Sequence, residues 1–174
     1  MADHTLGVEI VTPEEALFAG EATALLTATT LGDLTIMAEH AEMIGDVAPG
    51  VVRIETAEGE TVSIAIHGGF LQVTTGPGAA MGLVEGATET ERTTRATILA
   101  GIAEFATGID ITRAEEAKSA AEARLAELRT QGARGSGTAE HDEAGEHFVE
   151  LAEAEAALAR AELRLSSASP LGLH

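Results

Sequence analysis

Two β-strands and the turn between them occupy residues 62–74, which read VSIAIHGGFLQVT. Val62, Ile64 and Ile66 fall at every second position, and residues two apart share one face of a strand. The segment FLQVT that follows is predicted to form a further strand. The glycine pair between the two strands permits a tight backbone there.

The period of two recurs through the first half of the chain. Apolar residues alternate with other residues in 6–11 and again in 52–55. Turn-forming residues separate these segments, namely Thr12-Pro13, Gly20, Gly32-Asp33, Pro49-Gly50, Glu58-Gly59 and Gly76-Pro77-Gly78. Many short strands with regular turns are typical of an antiparallel β-sandwich or a barrel, and we assign this domain to residues 1–105.

One segment interrupts this pattern. A strand is predicted over residues 97–100, and between it and the preceding strand lie residues 77–95, which are rich in Gly, Thr and Glu. The segment is too long for a tight hairpin turn and has no clear hydrophobic period. We therefore expect an exposed insertion that a protease cleaves after Arg92 or Arg95 without unfolding the domain.

From Asp110 the hydrophobic period changes to steps of three and four, which mark one face of a helix. The first stripe comprises Ala114, Ala117, Ala121, Leu125 and Leu128, and the second comprises Phe148, Leu151, Ala154, Leu158, Ala161 and Leu165. Glycines within residues 131–142 separate the stripes. Residues 106–174 are thus predicted to form an antiparallel helical hairpin, with a frayed tail from Ser166, and the fold class is α+β.

The hairpin is expected to be weakly held. Its facing residues are mostly alanine, whereas burying a leucine contributes roughly 1.5–3 kcal/mol and a methyl group much less. An element with so little buried apolar area can detach from its domain.

Composition excludes several functions. The 174-residue chain has a formal net charge of −19 and neither Trp nor Tyr, so it repels phosphate backbones and lacks stacking platforms for nucleic acid. The absence of cysteine excludes disulfides and thiol catalysis. There is neither a run of about 18 apolar residues nor a signal-peptide pattern, so we expect no direct membrane insertion and a cytoplasmic location.

No catalytic motif is present in the sequence. The glycine-rich residues 76–82 lack the Gly-Lys-Ser/Thr of a phosphate loop. His141 and His147 do not have the spacing of a His-Glu-x-x-His zinc site, and no Gly-x-Ser-x-Gly nucleophile elbow occurs. The chain is therefore interpreted as an interaction protein or binding module with no catalytic residue and no metal site.

Six segments carry a resemblance to a known family. They are LGVEIVTPE at 6–14, LFAGEA at 17–22, GDLTI at 32–36 with His40-Ala41 after it, PGVVRI at 49–54, HGGFLQV at 67–73 and IDITRA at 109–114. In this order they resemble the epsilon subunits of bacterial F-type ATP synthases. The resemblance agrees with the independent prediction of a sandwich followed by a hairpin.

The resemblance implies a non-catalytic central-stalk subunit of a proton-translocating ATP synthase, coupling proton flow to ATP synthesis. It implies that the sandwich binds the gamma subunit and the c-ring, and that the extended hairpin reaches the catalytic alpha and beta subunits and inhibits ATP hydrolysis. The implied location is peripheral, on the cytoplasmic face of the bacterial inner membrane. No cofactor is required, although some relatives bind ATP as a regulatory ligand.

Asp33 and His40 fall where relatives contact the c-ring. The alternative interpretation is a turn aspartate and a loop histidine. This loop departs from the family pattern, because Thr35 and Glu39 stand where the family has glycine and Glu42 where it has proline.

A regulatory ATP site is implied by the resemblance at Glu104, Asp110, Arg113, Ala114, Arg160 and Arg164. Ala120 stands where the pattern has a further arginine. Alternatively, Asp110 caps a helix, Arg113 is solvated, and the two later arginines pair with Glu155 or Glu162. A second function class, a free-standing nucleotide-sensing module, also remains open at this point. Co-purification with gamma distinguishes the two classes.

Overall fold

The computed structural model describes residues 5–76, 94–135 and 141–168. The strands are β1 Leu6–Val11, β2 Ala16–Thr29, β3 Gly32–Ile36, β4 Met43–Val47, β5 Gly50–Thr56, β6 Thr61–Ile66, β7 Gly69–Thr75, β8 Thr94–Ala100 and β9 Ala103–Phe105. A 3₁₀ turn, Ala106–Gly108, precedes helices α1 Ile111–Gly135 and α2 His141–Ala168. Two compact units result, Met1–Gly108 and Ile109–His174, so the 3₁₀ turn lies in the first unit and not in the hairpin.

Strand β2 takes part in both layers of the first unit. Its N-terminal half pairs with β1, and its C-terminal half pairs with β5 and β3. The register with β5 shifts between Ala22 and Ala24, and such irregularities let a strand pass from one layer to another. The described strands follow the order β1-β8-β7-β4-β2-β5-β6-β9, with β3 and β1 also paired to β2. The predicted antiparallel sandwich is confirmed, except that β1 and β8 run parallel.

Alternation places the core as the sequence predicts in most strands. On β7, Leu71 and Val73 are buried whereas Phe70 and Gln72 are exposed. Strand β6 differs, because Ala65 is as fully buried as Ile64 and Ile66 on either side of it. The end of β6 is therefore covered on both faces.

The glycine pair at the start of β7 allows the close backbone approach that the sequence predicts. Gly68 has φ +99°, a conformation that side chains disfavour. A Cβ on Gly69 would lie 2.4 Å from the carbonyl oxygen of Leu99. Only glycine fits there, because β7 and β8 meet with no space for a side chain.

The predicted insertion ends earlier than expected. Thr94 and Arg95 already belong to β8, and residues 77–93 lie outside the described part of the chain. The Nη1 of Arg95 donates a 2.6 Å hydrogen bond to Oε1 of Glu9, and the two side chains are 14% and 2% exposed. Cleavage after Arg95 is therefore no longer expected, because a paired strand and a buried ion pair shield that bond.

Replacing Arg95 with leucine should strongly destabilise the sandwich. Glu9 would then be a buried carboxylate without a counter-charge, and breaking such a pair costs roughly 3–5 kcal/mol. The free energy of unfolding in urea measures the effect.

Two further variants separate charge from packing in that experiment. Glu9→Leu combined with Arg95→Leu should recover much of the loss, since apolar replacement of a whole buried pair is often neutral. Arg129→Leu, which removes only an exposed ion pair of α1, should change stability by no more than about 1 kcal/mol. If Arg95→Leu alone lowers the free energy of unfolding by less than about 1 kcal/mol, the Glu9–Arg95 pair contributes no more than a surface ion pair does. Its proposed role in stabilising the sandwich would then be wrong.

The hairpin has a narrow seam. The buried residues of the two helices are Ala114, Ala121, Leu125, Leu128, Ala154 and Ala161, with Leu151 and Leu158 packed partly against them. Ala117 is exposed and Phe148 is 72% exposed, so both predicted seam positions are wrong. They lie at the edges of the stripes, where the helix surface turns toward solvent.

Among the side chains that the structure describes, ion pairs cross from α1 to α2. They are Lys118–Glu162 at 3.1 Å, Arg124–Glu150 at 3.0 Å and Arg129–Glu155 at 3.7 Å. All six side chains are substantially exposed to solvent, so each pair contributes only about 0.2–1 kcal/mol. The folded hairpin thus rests on a small apolar seam and screened charges.

The helix ends differ from the predicted ones. Helix α1 continues past Gly132 to Gly135, and α2 begins at His141, so the interruption is shorter than residues 131–142. Helix α2 also extends to Ala168, where the hydroxyls of Ser166 and Ser167 donate to the carbonyl oxygen of Leu163 at 2.9 and 2.6 Å. Such bonds to the preceding turn are compatible with helix, so the tail is helical three residues further than predicted.

Candidate functional site

The turn between β2 and β3 presents Asp33 to solvent. The hydroxyl of Thr29 donates to the carbonyl oxygen of Gly32 at 2.7 Å and accepts from the amide of Leu31 at 3.2 Å. These bonds leave Leu31 at the tip, 98% exposed. Asp33 follows in β3 opposite Ala28, with its side chain exposed.

The second predicted contact residue, His40, lies beyond the other end of β3 in a short loop. Its amide donates to the carbonyl oxygen of Met37 at 3.2 Å. Its ring Nδ1 lies 2.9 Å from the carbonyl oxygen of Ala41, and a carbonyl only accepts, so Nδ1 carries the proton. The ring is thereby oriented, and Nε2 is the atom that remains for an external partner. The described contacts include no direct bond between Asp33 and His40.

The loop before β4 carries local strain. Glu39 has φ +65° and is the one non-glycine residue with positive φ in the described part of the chain. Such a conformation costs on the order of 1–3 kcal/mol and persists only where surrounding contacts impose it. The amide of Glu39 donates to Oγ1 of Thr94 at 2.8 Å, and Oε1 of Glu42 accepts from the amide and hydroxyl of Thr75 at 3.0 and 3.2 Å.

One layer of the sandwich has an exposed apolar outer face, which we call the outer apolar face. Ile44 on β4, Phe70 on β7 and Leu99 on β8 are 77%, 60% and 43% exposed. Phe70 stands opposite Leu99 in the β7–β8 register and opposite Asp46 in the β4–β7 register. Residues directly opposite in antiparallel strands share a face, so the three apolar side chains form one surface with polar neighbours.

Sequence reasoning missed this face, although the signal was present. Phe70 and Leu99 alternate with the buried Leu71 and Ile98, so they must point away from the core. Several large apolar residues that point outward from neighbouring strands form a patch, and such patches often mark a surface that meets a partner.

Glu104 lies in β9, in the first unit. It is paired with Ala65 of β6, and its Oε1 is 3.8 Å from Nε2 of His67, which is largely buried. The carboxylate thus lies beside the end of β6. The other five residues of the predicted nucleotide site belong to the second unit.

Asp110 caps helix α1. Its Oδ1 accepts from the amide of Arg113 at 3.1 Å, and its carbonyl accepts from the amide of Ala114 at 3.0 Å. This arrangement satisfies amides that the first helical turn leaves unpaired. Ala114 is buried in the hairpin seam, and the Arg113 side chain is exposed.

Arg160 and Arg164 are one turn apart on α2, so they share a face of that helix, and both are half-buried. Glu155 and Glu162, the partners that the alternative interpretation proposed for these arginines, lie 3.7 and 3.1 Å from Arg129 and Lys118 of α1.

Among the residues whose side chains the structure describes, 5–76, 94–131 and 145–168, no group of His, Cys, Asp or Glu could hold a metal ion. Neither described helix is long and apolar enough to cross a membrane.

Comparison with known proteins places both units in one family. The beta-sandwich domain of the ATP synthase Delta/Epsilon chain matches residues 5–76, and the long alpha-helix domain of the same chain matches residues 108–169. The chain therefore belongs to the ATP synthase delta/epsilon chain family.

Individual relatives agree with this assignment. The ATP synthase epsilon chain of Pelotomaculum thermopropionicum is 35% identical over 126 residues, covering 72% of this chain and 80% of the relative. That of Thermobifida fusca is 38% identical over 137 residues, covering 76% and 88%.

The fold is also similar to that of a chain in a solved assembly. A chain in the Euglena gracilis mitochondrial ATP synthase structure, OSCP/F1/c-ring in rotational state 1, matches with a TM-score of 0.61 and 17% identity over 92% of this chain and 79% of that chain. At this identity the similarity supports the fold alone.

Proposed function

We propose that this chain is a non-catalytic central-stalk subunit of a proton-translocating F-type ATP synthase. In this role it couples proton flow to ATP synthesis and inhibits ATP hydrolysis through its hairpin. The observation that carries the proposal is a sandwich of the delta/epsilon family with an outer apolar face uncovered in the isolated chain. Its place would be peripheral, on the cytoplasmic face of the bacterial inner membrane.

The outer apolar face is the proposed contact with the gamma subunit. Ile44, Phe70 and Leu99 form a contiguous apolar surface with Asp46 beside it, and protein interfaces combine a buried apolar centre with a polar rim. Buried aromatic residues often dominate the binding energy of such interfaces. Phe70, at the centre of this face, is therefore the proposed anchor.

The end of the sandwich that carries Asp33 and His40 is the proposed contact with the c-ring. Asp33 is exposed, and His40 has an oriented ring with Nε2 available to a polar loop of the partner. Leu31 adds an exposed apolar tip beside Asp33. The polar groups of Asp33 and His40, together with the apolar side chain of Leu31, suit a partner whose loops are polar but not fully charged.

The hairpin is the proposed regulatory element. When it opens, Arg124 and Arg129 lose Glu150 and Glu155 and become available to an acidic segment of the catalytic subunits. Arg113, Arg160 and Arg164 would contribute to the same contact. Folded and extended states that differ by a few kcal/mol are within the range that ligands can shift.

ATP is the proposed opposing ligand, held by Asp110, Arg113, Ala114, Arg160 and Arg164 in the folded hairpin. Guanidinium groups suit phosphates. Asp110 already accepts a helix-capping bond, and Ala120 stands where a further arginine is expected. Both features predict weaker binding than a complete site would have.

The gamma contact can be tested with Phe70→Asp. A charge at the centre of an apolar interface should weaken co-isolation with gamma at least about tenfold, which is roughly 1.4 kcal/mol. Affinity is measured by titrating gamma onto the labelled chain. Phe148→Asp is the matched control, since Phe148 is also exposed, at 72% against 60% for Phe70, but lies on the hairpin.

Each result has a distinct meaning. Unchanged binding by Phe70→Asp would show that gamma uses another face. If the wild-type chain does not bind gamma at all, the subunit role is wrong and a free-standing module gains support.

Deleting the residues after Thr107 should raise ATP hydrolysis by the assembled enzyme, because the proposed inhibitory element is lost. The main core cluster lies entirely before residue 101, so the shortened chain should still unfold cooperatively in urea. Steady-state ATPase rates of the complexes containing the intact and shortened chains give the comparison. Equal rates would rule out inhibition by the hairpin.

Millimolar ATP should raise the melting temperature of the isolated chain, since a ligand that binds the folded form stabilises it by mass action. Arg160→Ala combined with Arg164→Ala should abolish the shift, whereas Arg129→Ala, outside the proposed site, should retain it. Calorimetry or a dye-based melt provides the readout. If millimolar ATP does not shift the melting temperature of the wild-type chain, ATP binding is contradicted. Ala120, which stands in place of an expected arginine, would then be the first explanation to test.

A further inference from the structure

Two threonines fasten the loop that contains His40. Thr94 is almost fully buried, and its Oγ1 accepts a 2.8 Å hydrogen bond from the amide of Glu39. Thr75 donates to Oε1 of Glu42 from both its amide and its hydroxyl. The loop is therefore held on both sides of His40.

The two threonines are themselves a cross-strand pair. Thr75 ends β7, Thr94 begins β8, and the two residues stand opposite each other in the β7–β8 register. Both anchors of the loop therefore belong to one position of the β7–β8 ladder. We call this pair, with its bonds to Glu39 and Glu42, the threonine clamp.

The clamp accounts for the unusual backbone of the loop. Glu39 has φ +65°, which a non-glycine residue adopts only where surrounding contacts impose it. The hydrogen bond to Thr94 is a contact of this kind, because it engages the amide of Glu39 itself. Between the anchors, the bond between His40 Nδ1 and the Ala41 carbonyl fixes the ring.

We propose that the threonine clamp positions His40 for its contact with the c-ring. Thr75, Thr94 and Glu42 act as positioning residues, since they hold the backbone on both sides of the contacting ring. The inference rests on the proposed function, because the c-ring is the assumed partner. It adds three residues that lie outside the contact itself.

The first test compares Thr94→Val with Thr94→Ser in the full-length chain. Valine keeps the shape but removes the acceptor, so the Glu39 amide should exchange with deuterium at least about tenfold faster, and affinity for the detergent-solubilised c-ring should fall at least about tenfold. Serine keeps the hydroxyl and should retain both values.

A second pair of variants changes an exposed residue, so that misfolding does not complicate the result. Glu42 is exposed, so Glu42→Ala removes the acceptor for Thr75 with little effect on the core, whereas Glu42→Gln keeps an oxygen there. Glu42→Ala should weaken c-ring binding more than Glu42→Gln does.

A double mutant identifies positioning as the cause. If the clamp acts only through His40, Thr94→Val should weaken binding no further in a His40→Ala background. Full additivity of the two losses would overturn the proposal.

Failure of the inference can be told apart from failure of the proposed function. If the wild-type chain binds the c-ring while Thr94→Val and Glu42→Ala bind equally well, the clamp has no positioning role. If the wild-type chain does not bind the c-ring, the proposed contact is wrong, and the role of the clamp is wrong with it. Unchanged exchange at Glu39 in Thr94→Val would separately refute the clamp.

Discussion

The pairing of β1 with both β2 and β8 is the constraint on which the sandwich depends. Its antiparallel ladder to β2 and parallel ladder to β8 join the two layers along one side, and the buried Glu9–Arg95 pair lies across the second ladder. Strand β8 in turn carries Leu99 of the outer apolar face and Thr94 of the threonine clamp. Both proposed binding surfaces are therefore positioned by the contact that closes the fold.

The two units are stabilised in different ways, and the difference matters for function. The sandwich buries a large set of Leu, Ile and Val side chains, whereas the hairpin core consists of Leu125, Leu128 and Ala154 with a few partly buried neighbours. Exposed ion pairs add little to the hairpin and weaken with salt. A large core in the sandwich and a small one in the hairpin suit the proposed role, in which the sandwich stays attached while the hairpin changes state.

The sequence predicted the parts of the molecule that depend on local pattern. Alternation identified the core faces of β1 and β5, and the change of period located the hairpin. It also predicted Asp33 and His40 as candidate contacts through family resemblance. It placed Thr94 and Arg95 outside β8, because a threonine and an arginine at the start of a strand resemble the polar segment before them.

What the sequence determined by itself was the order of a sandwich and a hairpin. Periods of two and of three to four residues are properties of neighbours in the chain, so they can be recognised without coordinates. The tertiary structure alone decided the parallel β1–β8 pairing, the partner of Glu9 and the conformation of Glu39. The last depends on a hydroxyl 55 residues away, and a hydrogen bond over that distance leaves no periodic trace in the sequence.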